Sequence, residues 1–456
     1  MSNPTQRRHS GESRNPVVKF WKRLRGLDTG FRRYDVLVLL STSLLLSTAQ
    51  AASLALTHAR IHTLAGGTLE DATLVVRNGV IEAIGTGLAP PEDARVIDSK
   101  GMVITPGLFD AYSHLGLDEI EQVEETINSS SDNPRYSAAL DVVDGLNPRS
   151  VLVPVNRIEG ITQVMAAPTT GGEGPLFAGR GAVISLGTPE AFVTKGQAAM
   201  FVTAGEAGAA RVKGGRPALL LALREAFEEV KHLGTSSTVQ RPAQLGQLDA
   251  EALKPVLAGE LPLVADVHRA ADILALLQLA EDYGIKLIVH GGAEAHLVAA
   301  QLAAKQVPVI LDPTLNLPAA FESLASSADA AAILAKVDVR IAFSSQGSGG
   351  GSANSRNIRQ LAGNAVAHGL PWDAALAAIT LNPAAIYGVD FTLGSLAVGK
   401  QANFVVWDGD PLEVTSSAVQ VYAAGRALVM KSRQTELRDR YVQRRKAAPP
   451  APPKAP

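Results

Sequence analysis

Five short stations in the chain carry side chains able to bind a cation or move a proton: Asp110, Tyr112 and His114 in one run, Asp266 with His268, His290 ahead of two glycines, Asp312, and Gln346. Imidazole nitrogens and carboxylate oxygens together make a donor set for a divalent ion such as zinc, which lowers the pKa of a bound water to about 7 and so creates a nucleophile. No cysteine occurs among the 456 residues, which excludes disulfides, thiolate ligands and a cysteine nucleophile. Any metal site must therefore draw on His, Asp, Glu or Lys.

These stations matter only if the fold brings them together, and the pattern between them predicts how. From 263 onward, short β-branched apolar runs alternate with Ala- and Leu-rich segments of helical period: strands at 263–267, 286–289, 307–311 and 339–343, helices at 269–283, 294–305, 321–336 and 355–368. Such alternation predicts parallel strands with right-handed crossovers. Earlier strands are expected at 108–111, 162–166, 182–186 and 200–203. Eight strands favour a (β/α)8 barrel, in which reacting groups sit where strands end at the open mouth. Every station above follows such a strand, and Tyr112 and His114, two apart, should face one cavity.

Shorter β-type runs lie on both sides of this middle, at 55–63, 72–77, 80–84 and 102–104 and again at 403–407 and 419–428, with hairpin signals at Asn78-Gly79 and around Gly425. Each set alone has too few strands to be stable, so the two are expected to form one composite β domain. The fold class read from the sequence is thus α/β, a (β/α)8 TIM barrel with a small composite β-sandwich. The divisions are an N-terminal arm at 1–51, β domain at 52–105, barrel at 106–391, β domain again at 392–430, and a charged, Pro-rich tail at 431–456.

The run Val103-Ile104-Thr105-Pro106-Gly107-Leu108-Phe109-Asp110-Ala111-Tyr112-Ser113-His114 resembles the Pro-Gly-Leu-Ile-Asp-x-His-x-His entry of the amidohydrolase superfamily, in its imidazolonepropionase-like or prolidase-like branch. Asn382-Pro383-Ala384-Ala385 and the Gly394-Ser395-Leu396 to Asn403 stretch resemble its closing segment. The resemblance implies a barrel with a composite β-sandwich and hydrolysis of amide-like C–N bonds. It also implies metal ligands from the His-x-His pair, a Lys or Glu of strand four and a His from each of strands five and six, with an Asp from strand eight as catalytic carboxylate. Position by position, Tyr112 stands at the first His, His114 matches the second, Asp266 replaces the strand-five His with His268 two residues on, His290 matches strand six, and Gln346 replaces the Asp. No strand-four Lys or Glu is assigned.

A neutral amide at Gln346 has no basic site with which to take a proton from a metal-bound water. A Tyr112 phenol, with a reference pKa of about 10, is a poor zinc ligand near neutrality. The reading is of no metal, or one weakly held divalent ion such as zinc on His114, His290 and Asp266, with Tyr112, His268 and Gln346 as pocket residues. Three functions stay open: a C–N hydrolase with a reduced metal site and impaired or absent catalysis; a non-catalytic binding protein or partner subunit of an active amidohydrolase; and a metal-independent reaction using Tyr112, His114 and His268. A small-molecule substrate or ligand and a homo- or hetero-oligomer are compatible with all of these. His58, His62, His232, His296 and His368 are expected in structural roles. The glycine-rich stretches 169–174 and 347–351 lack the Lys-Ser/Thr of a P-loop and are expected to be mouth loops. Arg356 and Arg359 beside the second are expected on a solvated helix face, the alternative being attraction of an anionic ligand.

Charge excludes other classes. The formal net charge is -2 with no basic block in the body, which excludes nucleic acid as an expected partner. The first 51 residues hold nine Lys or Arg against three Asp or Glu, then an eleven-residue apolar run at 36–46, then Ala49-Gln50-Ala51. This is the layout of a secretory signal, too short for a span of roughly 20 helical residues. Cleavage near Ala51 and a periplasmic or secreted location are expected, with Arg32-Arg33 compatible with a twin-arginine route.

Overall fold

A computed structural model of the chain describes residues 53–120, 122–133, 137–170, 174–232, 245–345 and 351–447. The N-terminal segment read as an export signal, Gln346, and residues 171–173 and 347–350 of the two glycine-rich stretches lie outside the described residues.

The segments at the two ends of the described chain meet in one eight-stranded sheet. Asn78 and Gly79 have φ of +54° and +81°, as a tight hairpin with two left-handed central residues requires, and they join Thr68–Arg77 to Val80–Thr86. The first strand, Ser53–His62, changes partner along its length. Its first half pairs in parallel with Ala94–Asp98, and after an irregularity at His58, whose φ is +54°, Arg60 and Ile61 pair with Val103 and Ile104. The strand at Ala94–Asp98 carries little signal of its own, being five residues with two charges; pairing with the first strand makes it β. Val103–Pro106 then pairs antiparallel with Phe404–Trp407, so the chain's return after the barrel completes the sheet that its entry began.

The second sheet has eight strands in the order in which the chain makes them: Leu108–Ser113, Ile161–Ala166, Phe177–Ser185, Val193–Thr203, Leu263–Val267, Leu287–Gly291, Val309–Leu311 and Ile341–Phe343. It is a nearly closed, TIM-like barrel with one departure from the expected all-parallel pattern. The third strand runs antiparallel to both neighbours, Ala182 pairing with Ala166 and Gly181 with Ala199. The reason lies in its connections, which are too short and, among the described residues, hold no α-helix, whereas a parallel crossover needs a dozen or more residues. From the fourth strand on, helices including Arg216–Lys231, Gln247–Leu257 and Ala270–Tyr283 supply the crossovers and every pairing is parallel.

Alternation sorts the barrel's side chains. Phe201, Val264, Ile288, Ile310 and Ala342 belong to one buried cluster that also holds Phe109, Met165 and Tyr387. Val202, Ala265, Val289, Val309 and Phe343 pack instead with the surrounding helices. The two sheets are locked by Trp407, fully buried, whose indole donates to Thr105 Oγ1 at 2.9 Å. Its ring lies so close to Gly160 that a Cβ there would sit 2.7 Å from it, at a φ of +98° that also favours glycine. Arg359 corrects the solvated-face expectation: it is 6% exposed, donates to the Glu413 carbonyl at 2.9 Å, and places its guanidinium over the Trp407 ring. Carbonyls of the returning segment satisfy the charge that the sequence leaves looking free. Arg356 is held by Gln434 at 3.0 Å. Trp407→Ala should therefore lower stability by about 3–5 kcal/mol, read as a shift of the denaturant midpoint at unchanged slope; a shift corresponding to less than about 1 kcal/mol would show that the ring does not hold the sheets together.

Candidate functional site

The mouth is built by register. Parallel pairing sets Thr203 beside Asp266, Asp266 beside His290, His290 beside Ile310 and Ile310 beside Ala342. These residues form one inward-facing layer, one step nearer the mouth than Phe201, Val264 and Ile288. Because paired residues of parallel strands project to the same side, Asp266 and His290 must meet, and His290 Nδ1 lies 3.0 Å from Asp266 Oδ1. An ionised carboxylate only accepts, so Nδ1 carries the proton and donates it. Burial pushes the Asp266 carboxyl up, but the hydrogen bond and charge of His290 and the charge of His268 outweigh it, leaving the group below its ordinary range. His268 Nε2 is 3.9 Å from Asp266, and its ring packs against Gly291, whose φ of +83° lets the backbone turn over it.

Tyr112 enters from the first strand and lies flat on His290, with ring centroids 4.0 Å apart and planes 12° apart. Phe201 meets it edge-on at 5.6 Å, and so does His114, as two-residue spacing predicts. Burial, reinforced by the Asp266 charge, pushes the phenol still further above its ordinary value, so Tyr112 stays a neutral hydroxyl. His114 Nδ1 donates to the Ala167 carbonyl at 2.8 Å. Between Tyr112, Thr203, Asp266 and His290 remains about 20 Å3, room for a water but not for a substrate.

The seam between the eighth and first strands is closed by side chains, since their backbones share no ladder. Ser344 Oγ donates to the Tyr112 carbonyl at 2.9 Å, Ser345 Oγ to Asp110 Oδ2 at 3.0 Å, and the Tyr387 hydroxyl to the Ala111 carbonyl at 2.7 Å, while the Ser113 and Ser355 hydroxyls are 2.8 Å apart. Asp110 is fully buried there; burial raises its carboxyl to about 7, against hydrogen bonds from Ser355, the Tyr112 amide and Ser345 that pull it down.

The structure thus brings together Tyr112, His290, Asp266, His268 and His114. Asp312 stands apart, its Oδ1 taking bonds from the Thr314 amide and hydroxyl. Gln346 lies outside the described residues. Sequence reasoning missed Phe201, which reads as one apolar strand residue among several, and Ser344 and Ser345, which stand directly before Gln346 and carry a legible polar signal at a strand end. The fourth strand brings Thr203 to the mouth, while Lys195 lies toward its other end, donating to the Tyr387 carbonyl at 2.8 Å.

Among the described residues no three His, Asp or Glu side chains are arranged to hold a metal ion. The donor chemistry agrees: Asp266 is engaged by His290 Nδ1, Tyr112 is a neutral phenol, and the strand-four position offers a hydroxyl. This set does not fit a divalent ion.

Comparison with known proteins adds to this geometry. The sequence model of the Amidohydrolase family matches residues 293–432. Amidohydrolase tasK of Hapsidospora irregularis is 27% identical over 407 residues, 78% of this chain, which spans only 39% of tasK. Imidazolonepropionase of Sphingopyxis alaskensis is 25% identical over 402 residues, 78% of this chain and 92% of that protein. The crystal structure of an amidohydrolase from Thermotoga maritima MSB8 superposes with a TM-score of 0.73 at 26% identity, covering 83% of this chain and all of that one.

An unfolded aspartate loses its proton near 4, whereas folded Asp110 holds it to about 7. The contribution of Asp110 to stability is therefore complete below about 4 and lost as pH rises through about 7. In thermal melts across that range, Asp110→Asn should gain in Tm relative to the parent as pH increases; a difference that stays constant with pH would contradict the assignment.

Proposed function

We propose that the chain is a member of the amidohydrolase superfamily, a hydrolase of C–N bonds by descent in which metal-dependent catalysis is impaired or lost. The observation that carries this reading is the stack of Tyr112 on His290, with Asp266 bonded to the same imidazole. In the superfamily's arrangement two histidines would stand at Tyr112 and Asp266, each offering a neutral nitrogen to a metal. Here one is a phenol that keeps its proton and the other a carboxylate whose partner is the remaining histidine. Between the phenol, the carboxylate and the imidazole there remains about 20 Å3, room for a single water. Gln346, in the place of the catalytic carboxylate, has no basic site to accept the water's proton.

What these residues retain is a polarised imidazole. Asp266 accepts from His290 Nδ1 and so orients the ring, while Tyr112 covers one face of it. We propose as well that the chain is exported and cleaved after Ala51, on the basic arm, apolar run and Ala-Gln-Ala of its first 51 residues. No helix among the described residues is long and apolar enough to cross a membrane.

Elemental analysis of the purified protein should find zinc and manganese well below one equivalent, and Tyr112→His combined with Asp266→His should raise the zinc content. One equivalent of metal in the parent protein, lost in His290→Ala, would overturn the reading. Mass spectrometry of the protein from its native host should show a chain beginning at Ala52; a retained N-terminal arm would refute export by cleavage.

A further inference from the structure

At the end of the barrel away from the mouth lies a smaller cavity of about 180 Å3. One wall is the chain from Pro148 to Arg157, which includes the helix Leu152–Arg157 leading into the second strand. The other is the turn from Leu186 to Phe192, where the reversed third strand ends and the fourth begins. Both walls are described throughout. The space is below the roughly 300–1,000 Å3 of sites for drug-sized molecules and so suits an ion. We propose that this cavity binds a small, doubly charged oxyanion such as phosphate or sulfate. The proposal is independent of whether the mouth holds a metal or hydrolyses anything.

Arg157 carries the argument. Its guanidinium has five N–H donors in a planar fork. Nη1 donates to the Leu186 and Gly187 carbonyls, at 3.4 and 3.3 Å. Nε is buried without an acceptor, and Nη2 makes no bond among the described residues. Nε and Nη2 lie along one edge of the group, an edge that can grip an oxyanion through two parallel bonds. A buried donor left unmatched is unfavourable, and so is a charge taken out of water without a counter-ion. Burial alone pulls the pKa of this guanidinium below its usual value, with no carboxylate acting to raise it.

The surroundings favour an anion of charge two. Arg149 lines the same cavity, is exposed and makes no ion pair among the described residues, and no Asp or Glu belongs to the lining. The carboxylates around it are otherwise placed. Glu119 meets the wall through Ser150 Oγ at 2.9 Å, and its other oxygen takes Asn147 Nδ2 at 2.7 Å. Glu159 lies 4.0 Å from Arg359, and Glu190 is exposed. The Thr188 hydroxyl, which caps no backbone amide, is a further donor in the lining. Phe192 and three prolines add apolar surface, beside which a charge pair is stronger than in water. A cation would meet two uncompensated guanidiniums, and a monocarboxylate would leave one positive charge unmatched.

Calorimetric titration of the purified full chain near pH 8 with sulfate, phosphate and acetate, at constant ionic strength set with sodium chloride, tests this. Saturable binding of sulfate and phosphate is expected, with acetate weaker by about tenfold or more. Arg157→Lys keeps the charge but loses the fork, and should weaken both dianions by about tenfold or more. Because Arg157 also ties the turn at Leu186 and Gly187, the exposed Arg149 gives an independent reading: Arg149→Glu should abolish binding while leaving the Tm of the unliganded protein unchanged. No saturation at millimolar concentration, equal affinities for acetate and sulfate, or affinities unaltered by both substitutions would overturn the proposal. Metal analysis reports on the mouth and these titrations on the opposite end, so the two readings fail separately.

Discussion

A barrel protects its interior only if its last strand is tied to its first, and here that tie is made without a backbone ladder. Hydroxyls of Ser344, Ser345 and Tyr387 reach across to carbonyls and a carboxylate of Leu108–Ser113, and Ser113 meets Ser355. Each of these groups is buried and would be unfavourable unpaired. The seam therefore holds as a network, and the network fixes where Tyr112 stands: its carbonyl is held by Ser344, and its amide contacts Asp110.

With Tyr112 held, the mouth has little freedom. The ladder between the fifth and sixth strands puts Asp266 against His290, and Tyr112 can only lie on the imidazole so presented. The arrangement is consistent in its electrostatics. The carboxylate is kept ionised by two neighbouring imidazoles, and burial, reinforced by that carboxylate's charge, keeps the phenol protonated. The Tyr112 hydroxyl turns instead to the Pro168 carbonyl at 3.4 Å, so the phenol meets the imidazole through its ring face and not through a hydrogen bond.

The reversal of the third strand belongs to the same picture. Because Phe177–Ser185 runs against its neighbours, its first residues rather than its last lie at the mouth, and Ala178 borders the small space beside Tyr112 and His290.

Local patterning in the sequence determined the strands of 263–343 and the helix Ala270–Tyr283, the Asn78-Gly79 hairpin, the count of eight barrel strands and the pairing of the chain's two ends, since all follow from periodicity, turn chemistry and the need of a small sheet for more strands. The helices expected at 294–305, 321–336 and 355–368 form as α-helix only over Ala299–Ala304, Ala330–Lys336 and Ile358–Ala367, each range opening with a 3-10 turn. It also placed Tyr112, His114, Asp266, His268 and His290 around one mouth. Only the tertiary structure decided that the third strand is antiparallel, that Arg359 is buried under Trp407, that Ala94–Asp98 is a strand, and that Asp266 bonds His290 while Tyr112 covers it. Those outcomes depend on which residues lie opposite each other in the ladders and across the seam, and such distances between residues remote in the chain are set by packing, not by local sequence.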